Sequence, residues 1–528
     1  MNTQPPVTDT PIRLAEIAAA LSLATDLGMG QPLSSALRSC ILSLRIGRAA
    51  ALPEATLHTI YFQSLLRCIG CNVDSHMLAA IVGDEIEMRA DFAAIDHGNP
   101  LEIAGVMLRA VRRANEGASA MQLAQAMARA LVALPAMKTA FAGHCEVAQR
   151  LAARLGLDAE VQRALGQLYE RWDGKGAPQG LRGMAIAPAA RVVALAQDAL
   201  LYFGLGGVVE AIRMVRQRRG AAYDPQLADC FCENAEALLA GLDQEPEPAA
   251  VLAMEPGSAR CLSEQEFDEA CRAMADFVDL KSPYTLGHSD AVAQLAAGAA
   301  QRAGLPAQEV SKVRRAGWLH DIGRTGVSAA IWEKPGPLTP QEWDKVRLHT
   351  YHTERVLACA PGLRKLGELA ALHHERSDGS GYHRSCGGVQ LPLGARILAA
   401  ADMYQAMIET RPYRAAQTRD AAALELHCAV KAGRLDRAAV DYVLAAAGHR
   451  VRRSGPNSAA GLSEREIDVL RRLAQGDPAK RIARNLGISA KAAGHHIQDI
   501  YGKIGVVTRA GATLFAMEHG LLEAGVKA

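Results

Sequence analysis

Apolar residues recur along most of this chain with the spacing of amphipathic helices. Segments such as AVAQLAAGAAQRAGL (291–305) consist largely of Ala and Leu, which favour helices strongly. Only 4% of the residues are aromatic, which favours helices over sheets. We therefore predict a mostly α fold, with two tandem helical domains followed by a small four-helix domain.

Two stretches rich in Pro, Gly and charged residues interrupt the helical pattern. They are residues 246–261, within GLDQEPEPAAVLAMEPGSAR, and residues 449–460, within GHRVRRSGPNSAAG. A chain of 528 residues is also long enough for about three domains. We predict domains at 1–245, 262–448 and 461–528, joined by these two linkers.

The first two domains carry the same loop twice. QLYERWDGKGAP (167–178) is followed 205 positions later by LHHERSDGSGYH (372–383), and LLRCIGC (65–71) matches WLHDIGR (318–324) with an offset of 253. Polar and glycine positions shared in the same order indicate an internal duplication.

Charge, hydropathy and cysteine content narrow the class of protein. A formal net charge of +2 gives no global sign of nucleic-acid or membrane binding. The N-terminus has no signal-peptide pattern, and no uninterrupted apolar run approaches the ~20 residues of a membrane span. The scattered cysteines, several within apolar helical patterns (Cys40, Cys271, Cys428), fit buried thiols in a reducing compartment. We expect a cytoplasmic protein that binds no membrane.

Five short runs in the second domain concentrate residue types that bind metal ions. They are YTLGHS, LHDIGR, VRLHTYH, LHHERSDGSGYH and AAADMY, each on or at the end of a predicted helix. Buried imidazoles and carboxylates become favourable when they share cations, and facing helices can project them inward. Adjacent His320 and Asp321 diverge around a helix, so they suit two neighbouring ions with the carboxylate bridging. Two such ions favour phosphoester hydrolysis.

These motifs, with RPYR (411–414), resemble the HD-GYP branch of the HD phosphohydrolases. The resemblance covers about residues 280–415 and implies hydrolysis of cyclic di-GMP or a related cyclic dinucleotide by a helical domain. It implies a centre of two or three divalent metal ions, usually iron or manganese, held by His288, His320, Asp321, His349, His373, His374 and Asp402. We further predict Asp321 and Arg324 as catalytic residues, and substrate contacts from Arg324, Asp378, Gly379, Gly381, Tyr382, Arg411 and Arg414.

The second domain departs from the family pattern at four positions. Tyr284 stands where members with three metals have a glutamate, so two metals are expected. Arg324 replaces the lysine of HDIGK; it can pair with a phosphate but cannot give up a proton. His383 replaces the proline of GYP, and Thr353 replaces a glycine. The sequence leaves open whether His352, one turn after His349, binds a metal ion directly, supports a neighbouring ligand or faces solvent.

The first domain lacks the predicted ligand set. The alignment places Ser35, Arg67, Cys68, Leu168, Tyr169 and Gln197 opposite six of the seven ligands, and His144 opposite His349. Arg67 puts a fixed positive charge where a ligand belongs, so we predict neither a metal centre nor catalysis here. The sequence leaves two roles open for the first domain. It is either a packing and dimerisation partner, or it senses a nucleotide or other ligand.

Residues 461–528 show the pattern of a DNA-binding domain. Ser463 and Glu466 form a capping box, and Ser489 can cap a later helix in a helix-turn-helix arrangement. Ten Lys and Arg stand against seven Asp and Glu in this segment. The runs LSEREIDVL and IYGKIGV resemble the LuxR-type DNA-binding domain, although AAG (492–494) replaces its usual Thr-Val-Lys cluster. The predicted contacts to double-stranded DNA are Lys480, Arg481, Lys491, His495, Lys503 and Arg509.

Together these features predict a cytoplasmic, homodimeric bacterial signalling regulator. Its phosphodiesterase domain would couple a cyclic dinucleotide to transcription through the DNA-binding domain. One alternative is a catalytically inactive transcription factor whose second domain only binds ligand. For the C-terminal domain alone, a helical dimerisation or protein-docking module is the alternative to DNA binding.

Overall fold

The computed structural model describes residues 11–450 except 97 and 118, and residues 462–521 except 519 and 520. The chain forms two compact units, the first ending at His449 and the second beginning at Arg450. The described residues form 24 α-helices and no β-strand, which confirms the predicted mostly α fold. We call residues 11–245 the first lobe, residues 262–449 the second lobe and the unit after them the C-terminal unit.

The first lobe is a bundle of ten helices. They are α1 (Leu14–Gly28), α2 (Ser35–Ala49), α3 (Glu54–Leu66), α4 (Ser75–Val82), α5 (Glu85–Ala93), α6 (Pro100–Ala114), α7 (Ala120–Arg154), α8 (Ala159–Leu165), α9 (Pro188–Arg218) and α10 (Pro225–Leu239). Helix α9 is interrupted at Gly206 and Gly207, whose backbone is not helical. The core of the first lobe lies where α2, α3 and α9 pack together.

Residues 246–261, which the sequence predicts as a linker, carry a short helix, α11 (Pro248–Ala253). Val251 and Leu252 of this helix are buried. The Tyr61 hydroxyl donates to the Val251 carbonyl at 3.3 Å, and Arg13 donates to the Leu252 carbonyl at 2.9 Å. The segment therefore packs on the first lobe, and the predicted domain boundaries stay a prediction.

The second lobe contains nine helices. They are α12 (Glu264–Asp279), α13 (His288–Arg302), α14 (Ala307–Leu319), α15 (Ala329–Trp332), α16 (Pro340–Ala358), α17 (Arg364–Ala370), α18 (Leu393–Ile408), α19 (Arg419–Lys431) and α20 (Arg437–Ala446). Capping boxes open two of them, since Ser263 pairs with Glu266 and Thr339 with Glu342. Helix α13 lies at the centre, against α14, α18 and α20.

Three helices of the first lobe recur in the second lobe in the same register. With the offset of 253, α2 and α3 match α13 and α14 residue for residue at both ends, and with the offset of 205, α8 matches α17. A Cβ added to Gly70 or to Gly323 would lie 2.0 Å from the carbonyl oxygen of His144 or His349, respectively. The same close approach at aligned positions supports the duplication that the sequence indicates.

The repeated loop also keeps its hydrogen bonds. Glu170 accepts the backbone N–H groups of Gln179 and Leu181, at 2.7 and 2.8 Å. Glu375, 205 positions later, accepts those of Arg384 and Cys386, at 2.7 and 3.0 Å. Gly176 and Gly381 both lie too close to the preceding backbone for a side chain. The loop geometry is therefore a property of the shared scaffold.

The C-terminal unit contains four described helices, as predicted. They are α21 (Glu464–Ala474), α22 (Ala479–Leu486), α23 (Ala490–Ile504) and α24 (Arg509–Glu518). The predicted capping box is present, with Ser463 and Glu466 bonded reciprocally, and the Ser489 hydroxyl accepts from the Ala492 N–H at 3.1 Å. Ile467, Leu470, Ile482 and Ile500 are among the residues of its core.

Two helical stretches are long and apolar enough to cross a membrane by length and composition alone. Glu54–Val82 is 61% buried in its most apolar window, and Pro188–Arg218 is 28% buried. Buried helices of soluble proteins pass the same test, so this is weak evidence for a span.

All eleven cysteines are free thiols; Cys40 and Cys271 are buried as predicted, but Cys428 is exposed on α19.

Candidate metal centre

The seven predicted metal ligands come together inside the second lobe. His288 is the first residue of α13, and His320 and Asp321 directly follow α14. His349 lies within α16 and Asp402 within α18, while His373 and His374 follow α17. All except His374 are buried, and His374 is 25% exposed in its side chain. Helices far apart in sequence thus project one or two donors each into one interior space.

Four of the histidines are held in the tautomer that a metal ligand requires. Nδ1 of His288 lies 2.9 Å from a Glu409 carboxylate oxygen, and Nδ1 of His320, His349 and His373 lies 2.6–2.7 Å from the carbonyl three residues earlier. Each Nδ1–H therefore donates outward, which leaves Nε2 facing the interior as the ring nitrogen that can bind a metal ion. Nε2 of His349 and Nε2 of His373 are only 3.1 Å apart, and the buried Nε2 of His320 has no hydrogen-bond partner among the described residues.

Asp321 lies between two sets of donors. One carboxylate oxygen, Oδ2, is 3.5 Å from Nε2 of His320 and 4.0 Å from Nε2 of His288. The other, Oδ1, is 3.6 Å from Nε2 of both His349 and His373. Asp402 also lies between the two sets. Its Oδ1 is 3.3 Å from Nε2 of His288, and its Oδ2 is 3.9 Å from Nδ1 of His374.

The donors separate into two groups, each compact enough for one cation. His288, His320 and Asp321 form one, and His349, His373 and His374 form the other. Convergent lone pairs without a proton between them are unfavourable unless a cation lies among them. The residues present therefore fit two divalent ions, with Asp321 placed to contact both. His352 belongs to neither group; its ring lies against Gly326.

Burial and neighbouring carboxylates set the protonation of these donors. Burial opposes protonation of His288, but Asp402 and Glu409 outweigh it and raise its pKa to about 9. Desolvation lowers the pKa of His320 to about 4 and that of His349 to about 3, and it lowers the pKa of His374 as well. Burial opposes ionisation of Asp321, but His320 and Arg324 outweigh it and hold the pKa well below its usual range. Neutral imidazoles and an ionised carboxylate are the forms that bind metals.

Arg324 is fixed at the edge of the donor cluster. Its Nη1 donates to Oδ2 of Asp321 at 2.8 Å, and its guanidinium stacks on the Trp332 ring at 3.9 Å from the centroid. Thr353 supports the same turn, since its hydroxyl donates to the His320 carbonyl and accepts from the Gly323 N–H. The threonine that replaces a family glycine thus fastens α16 to the turn that carries Asp321.

The loop after His374 places Tyr382 beside the second donor group. The Tyr382 ring centroid is 4.9 Å from that of His374 and 6.1 Å from that of His349. Asp378 hydrogen-bonds within the loop, to Ser380, and Gly379 adopts a left-handed backbone with φ of 76°. His383, which replaces the family proline, contacts Thr350 and Glu354 at 3.1 Å.

The two predicted arginines of RPYR have different positions. Arg411 donates to Glu409 at 2.8 Å and lies 3.4 Å from Nδ1 of His288, so it borders the donor cluster. Arg414 instead binds the backbone carbonyls of Met407 and Glu409 at the end of α18. Glu409, which binds both His288 and Arg411, is not among the site residues predicted from the sequence. Its position seven residues after Asp402, two helical turns on, was the available signal.

The six predicted DNA contacts of the C-terminal unit also divide into two sets. Lys480, Arg481, Lys491 and His495 are exposed at the turn and along α22 and α23. Lys503 and Arg509 are exposed too, but the Lys503 ammonium pairs with Glu466 at 2.7 Å, and Arg509 donates to the Leu473 carbonyl at 2.7 Å. These last two side chains bind within the unit, and all six DNA contacts stay a prediction.

Comparison with known proteins identifies the family. The HD domain family matches residues 119–227 and 272–439, which together exceed half of the chain and include parts of both lobes. The chain belongs to the HD domain family. The luxR family of bacterial regulatory proteins matches residues 460–516 of this HD-domain protein, within its C-terminal unit.

The similar proteins include cyclic dinucleotide phosphodiesterases. The 3'3'-cGAMP-specific phosphodiesterase 3 of Vibrio cholerae is 29% identical over 420 residues, 78% of this chain and 89% of that protein. The cyclic di-GMP phosphodiesterase response regulator RpfG of Xanthomonas campestris is 34% identical over 184 residues, 34% of this chain and 48% of its own length. A solved structure of a cyclic GMP-AMP specific phosphodiesterase of V. cholerae covers 83% of the HD-domain protein with a TM-score of 0.58 and 26% identity.

Proposed function

We propose that the second lobe is a dinuclear metal phosphodiesterase that hydrolyses a cyclic dinucleotide, with 3'3'-cGAMP as the first candidate and cyclic di-GMP as the second. The observation that carries this proposal is the position of Asp321 between two groups of metal donors. The V. cholerae relative that matches 78% of the chain is specific for 3'3'-cGAMP, whereas RpfG matches only 34% of it.

The two donor groups support a division of the seven residues between two ions. His288, His320 and Asp402 would hold the first ion, His349, His373 and His374 the second, and Asp321 both. Imidazole and carboxylate donors suit iron or manganese. When bound, such ions activate water for attack on a phosphodiester and neutralise phosphate charge.

Arg324, Tyr382 and Arg411 border this centre and would act on the substrate. Arg324 is already oriented by Asp321 and Trp332, so its remaining N–H groups can stabilise charge on a phosphate oxygen without reorganisation. It stays protonated throughout, so proton transfer to the leaving group falls to water or another residue. The Tyr382 ring, beside His374, offers an aromatic face to a nucleobase.

The C-terminal unit would carry the output as a DNA-binding domain. The match to the luxR family and the four exposed basic or imidazole side chains on α22 and α23 support this role. Hydrolysis of the dinucleotide would then be coupled to transcription regulation by a homodimeric cytoplasmic protein.

The test compares two aligned histidines in the full chain. The protein is purified anaerobically with Mn²⁺ or Fe²⁺, and each dinucleotide is followed by chromatography to its linear product. We expect product from the wild type and from His144→Gln, in the first lobe, but not from His349→Gln. Metal and dinucleotide binding without any product would favour the inactive ligand-binding alternative. Turnover that survives His349→Gln would contradict the assigned site.

A further inference from the structure

The first lobe has a cavity of about 440 Å³ at the position that the metal centre occupies in the second lobe. Ser35, Arg67, Cys68 and Gln197 line it, and these residues align with His288, His320, Asp321 and Asp402. The match is structural, because Ser35 begins α2 as His288 begins α13, and Arg67 follows α3 as His320 follows α14. Loss of the ligands has thus left an open site on a retained scaffold.

Two arginines supply positive charge to this cavity without partners of opposite charge. Arg67 makes no hydrogen bond or ion pair with any residue in the described parts of the chain. The nearest polar contact of Arg38 is the Ser35 hydroxyl at 3.5 Å, and the buried Nε of Arg38 has no partner among the described residues. Both side chains are half-buried in the wall of the cavity, where an unpaired guanidinium is available to bind an anionic ligand.

The acidic residues of the cavity offset this charge only weakly. Burial raises the pKa of Asp26 to about 8, so its carboxyl is largely protonated at neutral pH. Its oxygens also accept from the Ala36 N–H, at 3.1 and 3.2 Å. Asp243 is exposed, where solvent screens its charge. The cavity is therefore cationic at neutral pH.

The remaining lining is apolar and aromatic. Leu65, Leu201 and Phe203 are part of the wall, beside the break of α9 at Gly207. The volume falls within the range of small-molecule sites, about 300–1,000 Å³. An aromatic and aliphatic wall next to two guanidinium groups combines surfaces for a base and for a phosphate.

We propose that the first lobe binds a phosphate-bearing nucleotide in this cavity, with Arg67 and Arg38 on the phosphate. Arg67 replaces the positive charge of the metal ions with a guanidinium on the same scaffold. The lobe is then a non-catalytic ligand-binding module. This inference is independent of turnover in the second lobe.

Calorimetry on the full chain tests the site. Chelator-treated protein is titrated with 3'3'-cGAMP, with GMP and with inorganic phosphate, so that metal-dependent binding and hydrolysis are absent. Arg67→Gln and Arg38→Gln are compared with Arg48→Gln, which removes the same charge from an exposed position on α2. Circular dichroism verifies that each variant is folded.

We expect one saturable nucleotide site in the wild type and in Arg48→Gln, and an affinity at least about tenfold lower in Arg67→Gln and Arg38→Gln, as for loss of a charge-assisted hydrogen bond. Equal affinity in all variants would overturn the site. So would the absence of nucleotide binding to the wild type. Phosphate that binds as tightly as either nucleotide would overturn the nucleotide class.

Discussion

The Glu85 carboxylate of the first lobe lies 3.0 Å from the Lys281 ammonium of the second lobe, with both side chains buried. The other Glu85 oxygen accepts from the Ser328 hydroxyl at 2.6 Å, and Lys281 also donates to the Thr325 carbonyl at 3.0 Å. Thr325 directly follows Arg324. The buried pair therefore joins the two lobes next to the turn that carries the candidate catalytic residues.

Glu85→Gln should destabilise the whole first unit. The substitution leaves the Lys281 ammonium buried without a counter-charge, and breaking such a pair typically costs about 3–5 kcal/mol. Urea unfolding followed by circular dichroism measures the loss. Glu210→Gln serves as the control, because its partner Arg213 is on the surface, and we expect no measurable change there. An equally small effect of both substitutions would show that the buried pair does not stabilise the unit.

Arg324→Gln should lower turnover without removing metal. Loss of one oriented charge-stabilising donor typically reduces kcat by roughly 10²- to 10³-fold. Arg324→Lys retains the positive charge but not the stacked plane on Trp332, so it should keep more activity than Arg324→Gln. Kinetics and metal analysis are measured on the same samples. If Arg324→Gln binds metal and turns over as the wild type does, Arg324 has no catalytic role.

Two pairs of basic residues in the C-terminal unit should respond differently to substitution. Lys480→Ala and Lys491→Ala remove exposed charges, so each should reduce the salt dependence of DNA binding by about one phosphate contact. Lys503→Ala and Arg509→Ala should mainly lower thermal stability, because these side chains bind Glu466 and the Leu473 carbonyl. Binding isotherms at several salt concentrations, paired with thermal melts, separate the two effects. A flat salt dependence in the wild type would contradict DNA binding.

Ionisation of the buried Asp26 carboxyl should lower the free energy of unfolding of the first unit as pH rises. Burial raises its folded-state pKa to about 8, whereas an unfolded aspartate has a pKa of about 3.9. Between these values the folded chain binds the proton more strongly than the unfolded chain does, so stability falls from about pH 4 to about pH 8. Asp26→Asn should flatten this part of the profile. Melting temperatures across this range test it, and identical profiles for both proteins would contradict the assignment.

Much of the fold, and the grouping of the candidate ligands in one interior space, could be predicted from the sequence. His320 next to Asp321 and His373 next to His374 are adjacent in the chain, and the spacing of the helices determines where they lie. The roles of Glu409, Trp332 and Thr353 depend on contacts between distant segments, which no local pattern specifies. Lys503 and Arg509 likewise turn back into their own unit, since the direction of a long side chain is decided by nearby carboxylates and carbonyls. The Pro and Glu content of residues 246–261 predicts a linker, and no local pattern indicates that Val251 in this segment is buried.

Activity measured against added metal tests the dinuclear centre most directly. The full chain is stripped of metal anaerobically and titrated with Mn²⁺ while hydrolysis of 3'3'-cGAMP and cyclic di-GMP is followed. The geometry around Asp321 predicts that activity rises to a plateau at about two equivalents per chain and that Asp321→Asn gives no such rise. A plateau at one equivalent, or hydrolysis by the metal-free protein, would contradict it.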